Sequence, residues 1–109
     1  MPLKGLLGCC LALLLAAPAW ADNYTLNIHN RTGYVIYFIY VSPEDADSWE
    51  EDVLGDDILE DEGSVRVTLR GYDSPMFDVK LVDEDGDAYT FWGVNVARQD
   101  LTVTLEHLD

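Results

Sequence analysis

Short runs of alternating apolar and polar residues, separated by turn-forming residues, constrain this chain more than any other feature. Residues 24–29 and 64–70 both carry apolar side chains at every second position. That period places one face of a strand on a core and the other in solvent. Turn signals recur about every eight to twelve residues, which is typical of small β-folds. The sequence therefore predicts an all-β domain, a small antiparallel β-sandwich or partly closed barrel of about six to seven strands with one short helical turn.

Individual segments predict the order of these elements. Residues 30–33, Asn-Arg-Thr-Gly, predict a short hairpin because Asn and Gly tolerate a positive φ. Residues 34–41 are apolar or aromatic on both faces, which predicts a central strand covered on both sides or nearly so. Residues 42–45, Ser-Pro-Glu-Asp, resemble the start of a helix of one or two turns. The other predicted elements are a turn at 62–63, a hairpin of strands 77–82 and 88–94 across 83–87, and a last strand at 101–105.

The first 21 residues have the features of a secretory signal peptide. Lys4 supplies a positive charge, residues 6–17 form an apolar run without charges, and Ala19-Trp20-Ala21 matches a cleavage site with two small residues. The apolar run is shorter than the roughly 20 residues that a membrane-spanning helix needs. We therefore expect cleavage after Ala21, a mature domain of residues 22–109 without membrane insertion, and a periplasmic or secreted location.

Both cysteines, Cys9 and Cys10, lie within this segment. An alternative is lipid attachment at Cys9, but the main apolar run follows Cys9, whereas a lipid signal would place it before. With the segment removed, the mature chain has no thiol. Disulfides, thiolate metal sites and cysteine nucleophiles are therefore excluded.

The mature chain is strongly acidic. Of the six Lys and Arg residues only Lys4 falls in the signal segment, so five basic residues face 21 acidic ones, a formal net charge of −16. Such a charge repels nucleic acid and anionic lipid headgroups, and it favours cations or a basic protein partner. The simpler alternative is that the charge only keeps the domain soluble.

Residues 44–62, called the acidic loop below, concentrate this charge, with eleven acids and no basic residue. Acids at this density repel one another unless a cation or a basic partner neutralises them. One interpretation is an interaction face; the other is a solvated loop that guards a sheet edge. Trp49, which is also a candidate core residue, and Tyr40 would supply apolar contact area. The predicted interaction residues are Tyr40, Trp49, Glu50, Glu51 and Asp52, and the apolar residues expected to attach the loop to the core are Trp49, Val53, Leu54, Ile58 and Leu59.

A second acidic cluster, residues 83–87, begins like a calcium-binding loop. Asp83, Asp85 and Asp87 occupy the alternate positions that donate oxygens in such loops. The pattern then departs from an EF-hand, because Ala88 stands where Gly is required and Val94 where a bidentate Glu is required. A weak calcium site and a solvated hairpin tip are the two alternatives. No other cofactor is expected.

Catalytic motifs are lacking in the sequence. The nucleophile candidates are Ser and Thr alone, and His29 and His107 lie on or beside strand ends without a nucleophile elbow. We therefore expect a non-catalytic protein, most simply a protein-interaction module. The alternatives are a calcium-responsive structural domain and an inhibitor of a cationic hydrolase.

Several motifs resemble those of a family of small exported bacterial proteins of unknown function. They are N-x-T-G at residues 30–33, Y-V-S-P at 40–43, W-x-x-D-x-L-G at 49–55 and D-x-D-G-D at 83–87. The resemblance covers most of the mature chain and implies a β-sandwich without an established activity. Members are sometimes labelled argininosuccinate lyase. That lyase is a large helical tetramer of the cytoplasm, and a short exported β-domain has no room for its active site.

Overall fold

The structure, a computed structural model, describes residues 21–109. Residues 1–20 of the predicted signal peptide, including Cys9 and Cys10, lie outside the described residues. Ala21, at the expected cleavage site, is the first residue described. Six strands and one short 3-10 helix are present in the described part: β1 (Asp22–Arg31), β2 (Ile36–Pro43), β3 (Ser64–Tyr72), β4 (Met76–Asp83), β5 (Ala88–Asn95), β6 (Leu101–Thr104) and the 3-10 helix Leu105–His107.

The strands form two three-stranded sheets, with orders β3-β1-β6 and β2-β4-β5. Within the sheets β1 pairs antiparallel with β3, β4 pairs antiparallel with both β2 and β5, and β6 runs parallel to β1. The arrangement confirms the predicted all-β fold of six strands and is consistent with a small sandwich.

Period-two alternation supplies the core. In β4 every second residue is buried. Buried residues also alternate along part of β1, at positions 26, 28 and 30, and along part of β3, at positions 67 and 69. Phe77 of β4 is fully buried and makes edge-to-face contacts with Tyr72 and Tyr24, at ring-centroid distances of 4.9 and 6.5 Å. The fully buried apolar side chains are Leu26, Ile28, Ile36, Ile39, Phe77, Val79, Leu81, Tyr89 and Val103.

The prediction of a hairpin at residues 30–33 is wrong. β1 and β2 belong to different sheets, so this segment crosses from one sheet to the other. Asn30 explains the crossing: it is fully buried, its side-chain amide donates to the carbonyls of Tyr34 and Leu59, and its Oδ1 accepts from Thr32. The polar side chain therefore holds a turn inside the molecule, where an unpaired amide would be costly.

The prediction of a central strand at residues 34–41 is also wrong, since β2 is an edge strand of its sheet. Its register against β4 shifts between Ile36 and Phe38, which leaves Tyr37 as an extra residue on β2. Tyr37 and Phe38 are consequently both exposed, at 43% and 42%. A bulge of this kind breaks the alternation and leaves two successive aromatic side chains in solvent.

The short helical turn lies elsewhere than residues 42–45. Ser42 and Pro43 end β2 and are followed by a turn, and the 3-10 helix Leu105–His107 is the one helical element in residues 21–109. Thr104 caps it, accepting a hydrogen bond from the Glu106 N–H. Leu105, expected to end the last strand, is instead 52% exposed in this helix.

Within the described residues, no helix has the length and apolar character needed to cross a membrane.

Candidate functional site

The acidic loop folds back along the free edge of β2. Val53 N–H donates to the Ile39 carbonyl, and Leu59 and Ile36 exchange two backbone hydrogen bonds of 2.8 and 2.9 Å. These contacts occupy backbone groups that an edge strand would otherwise expose to another chain. Of the residues predicted to attach the loop to the core, Leu54 and Leu59 are buried, Trp49 is half-buried, and Val53 and Ile58 are exposed.

Asp52, a predicted interaction residue, has a structural role in this edge. It is half-buried, and its Oδ1 accepts from the Ile39 N–H at 2.8 Å and from the Leu54 N–H at 3.1 Å. A carboxylate that accepts two backbone hydrogen bonds fixes the path of the chain around it. Asp52 therefore belongs to the scaffold of the acidic loop more than to its exposed surface.

Most of the other acids in the loop are free to meet a partner. Asp61 accepts from the Gly33 N–H, and Glu62 pairs with Arg31 at 3.0 Å. With Asp52 set aside as well, eight of the eleven acids accept no hydrogen bond from another residue of the described part of the chain. All eight are exposed: Glu44, Asp45, Asp47, Glu50, Glu51, Asp56, Asp57 and Glu60.

Trp49 packs on Trp92 of β5, with ring centroids 5.7 Å apart and planes tilted by 36°. The two indoles border a cleft of about 170 Å³, called the tryptophan cleft below. The Glu50 N–H donates to the buried Ser42 hydroxyl at 2.8 Å, which ties the segment carrying Trp49 to β2. The other residues that line the cleft are Ser42, Pro43, Ala46, Asp47, Ser48 and Asp78.

A bulge in β5 follows Trp92, which the alternation from buried Tyr89 already places on the outer face of the sheet. Phe77 pairs with Val94 and Val79 with Phe91, so Trp92 and Gly93 together lie opposite the single residue Asp78. Gly93 has a φ of +64°, a conformation that residues with a Cβ rarely adopt, and its N–H donates to Asp78 Oδ1 at 2.8 Å. Bulges often redirect a side chain beside a functional site. Here the extra residue lets Val94 face the core again, while the Trp92 indole on the outer face is 71% exposed.

Tyr40, the other predicted aromatic contact, lies on the outer face of the same sheet. Its ring stacks on that of Phe38, with centroids 6.3 Å apart and planes within 11° of parallel. Lys80 is its register partner on β4. Tyr40 and Trp49 each contact an aromatic residue, Phe38 and Trp92 respectively, that was not among the predicted interaction residues.

The three aspartates of residues 83–87 do come together. One carboxylate oxygen from each of Asp83, Asp85 and Asp87 lies within 4.8 Å of the others, a spacing that could hold a metal ion. Asp83 is 3% exposed; its Oδ1 accepts from the Asp85 and Asp87 N–H groups, and its Oδ2 accepts from the Tyr89 hydroxyl at 2.8 Å. Its carboxylate therefore already organises the turn, while Asp85 and Asp87 face solvent.

Tyr89, the hydrogen-bond partner of Asp83, lies in the protein interior beside the turn at residues 83–87. Its side chain is fully buried. Burial raises the pKa of the Tyr89 hydroxyl well above its ordinary value, and the hydrogen bond to Asp83 raises it further. The phenol therefore remains a hydrogen-bond donor throughout the physiological pH range.

Three of the five basic residues in residues 22–109 belong to the sheet opposite that of the tryptophan cleft. Arg66 and Arg70 lie at exposed positions of β3, in the opposite sheet, and Arg31 is engaged by Glu62. The net charge is consequently distributed unevenly: the unpaired acids of the loop follow the edge of β2, and Asp47 among them lines the cleft. An asymmetric charge distribution orients an approaching charged partner.

No protein-family model matches the chain, and no curated protein matches it. An NMR structure of a protein from Eubacterium rectale is similar in fold, with a TM-score of 0.51 over 76% of each chain and 16% sequence identity. An identity this low shows a shared fold and nothing about activity.

Sequence reasoning missed Trp92 and Asp78. Phe91-Trp92-Gly93 looks like ordinary strand sequence when only apolar alternation is considered. A glycine inside a predicted strand, however, is a known signal for a bulge. Gly93 therefore indicates where the alternation breaks, and counting outward positions from Tyr89 up to that break places Trp92 on the outer face.

Proposed function

We propose that this protein is an exported, non-catalytic interaction module that binds a basic protein through the acidic loop and the adjoining tryptophan cleft. The observation that carries the proposal is that the loop combines eight exposed, unbonded acids with the half-buried Trp49, which packs on the exposed Trp92. Exposed charge accelerates and orients association, and a large aromatic side chain supplies the contact area that holds the complex together.

Export is the first part of the proposal. It rests on the signal-like first 21 residues and is supported by the resemblance to small exported β-proteins. The mature protein should begin at Asp22 and carry no lipid. Intact mass of material purified from the periplasm or the medium tests this, and a mass that includes Cys9 with acyl chains contradicts it.

The binding proposal is tested by removing three negative charges from the acidic loop in one variant and three from other surfaces in a second variant. In the first variant, Glu50→Gln, Glu51→Gln and Asp56→Asn neutralise three exposed acids of the loop and leave Asp52 intact. In the matched control, Asp85→Asn, Asp87→Asn and Glu106→Gln neutralise three exposed acids elsewhere. Both changes raise the net charge by three, so any difference between the variants reflects location.

Each form is used to capture basic proteins from periplasmic extract, and the association rate of each captured protein is then measured at several salt concentrations. The loop variant should associate several-fold more slowly, with a shallower salt dependence, because exposed charges are screened beyond about 8 Å at physiological ionic strength. The control variant should resemble the wild type. Equal effects of the two variants would reduce the role of the loop to general solubility.

A calcium-responsive structural domain is the second candidate, favoured by the convergence of the Asp83, Asp85 and Asp87 carboxylates. It ranks below the first because Asp83 already accepts three hydrogen bonds from the protein. No other cofactor is proposed.

A further inference from the structure

The tryptophan cleft is small. Its volume of about 170 Å³ is below the roughly 300–1,000 Å³ of pockets that hold small-molecule ligands. It can therefore accept one side chain or a group of similar size, but not a larger cofactor.

The indole rings also limit how an occupant can lie. A planar group inserted between two rings needs them about 7 Å apart, twice the contact distance of two carbon atoms. The centroids of Trp49 and Trp92 are only 5.7 Å apart. A planar occupant of the cleft therefore cannot lie between the two rings and has to contact the exposed surface of Trp92, which is 71% exposed.

Three carboxylates lie at the cleft or next to the residue that follows Trp92. Asp47 and Asp78 line the cleft, and Glu44 Oε2 lies 3.9 Å from where a Cβ on Gly93 would stand, next to Trp92 in the chain. Asp78 uses its Oδ1 for the Gly93 N–H, so its second oxygen can accept from a ligand. Three acids beside an aromatic face favour a cation.

Lys80 opposes this preference only weakly. It is half-buried and lies in the neighbouring row of the sheet, opposite Tyr40 and Thr90. The three carboxylates of Glu44, Asp47 and Asp78 outnumber this lysine at the cleft. The electrostatic balance at Trp92 therefore remains negative.

We infer that the tryptophan cleft receives the guanidinium group of an arginine side chain of the protein partner, stacked on Trp92 and hydrogen-bonded to the Asp78 and Asp47 carboxylates. The inference rests on the proposed function and names the recognition element within it. Arginine fits better than lysine because its planar group can stack on an indole while its N–H groups pair with carboxylates at the edge. A lysine ammonium ion offers no plane to stack and is more strongly hydrated.

Two peptides of equal length and charge test the choice of arginine: acetyl-(Gly-Arg)4-amide and acetyl-(Gly-Lys)4-amide. Each is titrated into the mature protein at low salt, and tryptophan fluorescence and calorimetry report the dissociation constant. The arginine peptide should bind at least about threefold more tightly, with a change in fluorescence.

Two variants locate the effect. Trp92→Thr should weaken binding of the arginine peptide by about 2- to 30-fold, the range for the loss of one cation–π contact, and should change binding of the lysine peptide less. Phe38→Thr removes an exposed aromatic side chain from the other end of the same sheet and should change neither. Circular dichroism and the melting temperature verify that both variants fold.

The outcomes separate the inference from the proposed function. If both peptides bind equally and Trp92→Thr has no effect, the cleft is not an arginine site, although the loop can still bind basic proteins. If neither peptide binds while basic proteins still associate more slowly with the loop variant than with the wild type, the inference is wrong and the proposed function stands. A fluorescence change with neutral oligosaccharides that Trp92→Thr abolishes would make the cleft a sugar site and overturn the inference.

Discussion

The turn at residues 83–87 and the acidic loop at residues 44–62 are both dense in acids, with four acids in five residues and eleven in nineteen. They differ in what their carboxylates do. Asp83 is buried and accepts three hydrogen bonds from its own turn and from Tyr89. In the loop, eight acids face solvent without a bond to another described residue. The density of acids therefore does not show whether they support the fold or can bind a partner. The hydrogen bonds that each carboxylate accepts within the protein do show this.

The comparison separates acids that maintain the structure from acids that are available to a partner. A carboxylate that satisfies buried N–H and O–H groups cannot be removed without leaving those donors unpaired. A carboxylate in solvent contributes little to stability and can even destabilise through repulsion of its neighbours. The two regions should accordingly respond in opposite ways to the same substitution.

The largest effect is expected at Asp83. Asp83→Ala leaves the Tyr89 hydroxyl and two backbone N–H groups without their acceptor, and we expect a loss of about 2–4 kcal/mol in the free energy of unfolding. Glu51→Ala, an exposed loop acid, should stay within about 0.5 kcal/mol of the wild type. Urea unfolding of both variants measures the difference. Similar losses at the two positions would break the distinction between the regions.

Asp52 sharpens the comparison within the loop. Because its carboxylate accepts from two N–H groups, Asp52→Ala should destabilise the fold by about 1–2 kcal/mol. Asp56→Ala, four residues along and exposed, should change stability little. Hydrogen exchange at the Ile39 amide provides a local measurement and should accelerate in the first variant alone. An unchanged rate there would show that Asp52 is dispensable for the edge of β2.

The Tyr89 hydroxyl gives a pH signature of the turn. Its pKa is raised in the folded state, so the unfolded chain releases this proton near pH 10 while the folded chain retains it. The stabilisation is complete below about pH 10 and is lost as pH rises beyond it. The slope attributable to this group approaches about 1.4 kcal/mol per pH unit.

Tyr89→Phe isolates this contribution, since it abolishes the titration but keeps the ring. The variant should be less stable at pH 7, where the hydrogen bond to Asp83 is lost, yet its stability should fall less steeply between pH 10 and 11. Denaturant unfolding across that range measures both slopes. Parallel pH profiles would mean that Tyr89 titrates normally and that the turn is more open to water.

The sequence predicted the strands well because alternation depends on local residues alone. Residues 64–70 and the hairpin across residues 83–87 are found as expected, since each is specified by its own pattern and turn chemistry. The position of β2 was not predictable in the same way. An apolar run such as residues 34–41 is compatible with a central strand or with an edge strand covered by a loop, and only the tertiary pairing of Leu59 and Ile36 decides.

The candidate site was half predicted for a similar reason. Trp49, Glu50 and Glu51 stand out in the sequence because aromatic and acidic residues are adjacent there. Trp92 and Asp78 reach the same place through pairing of β4 with β5 and through the bulge at Gly93. Contacts between residues far apart in the chain depend on strand register, which a single sequence does not specify strongly.

The smallest expected effect is that of calcium on the turn at residues 83–87. Calcium prefers six to eight oxygen ligands, and here three carboxylates converge, one of them already bonded to three donors of the protein. A site with a dissociation constant near 10 mM would add only about 0.06 kcal/mol at 1 mM calcium. The melting temperature in 1 mM calcium should therefore match that in sodium chloride of equal ionic strength to within about 1 °C, since one kcal/mol corresponds to roughly 4–8 °C in a domain of this size.

Asp85→Asn with Asp87→Asn should leave that small difference unchanged. A rise of ten degrees in calcium alone, lost in the double variant, would show that the exposed carboxylates of the turn are as available to a ligand as those of the loop, and it would make calcium binding the primary function.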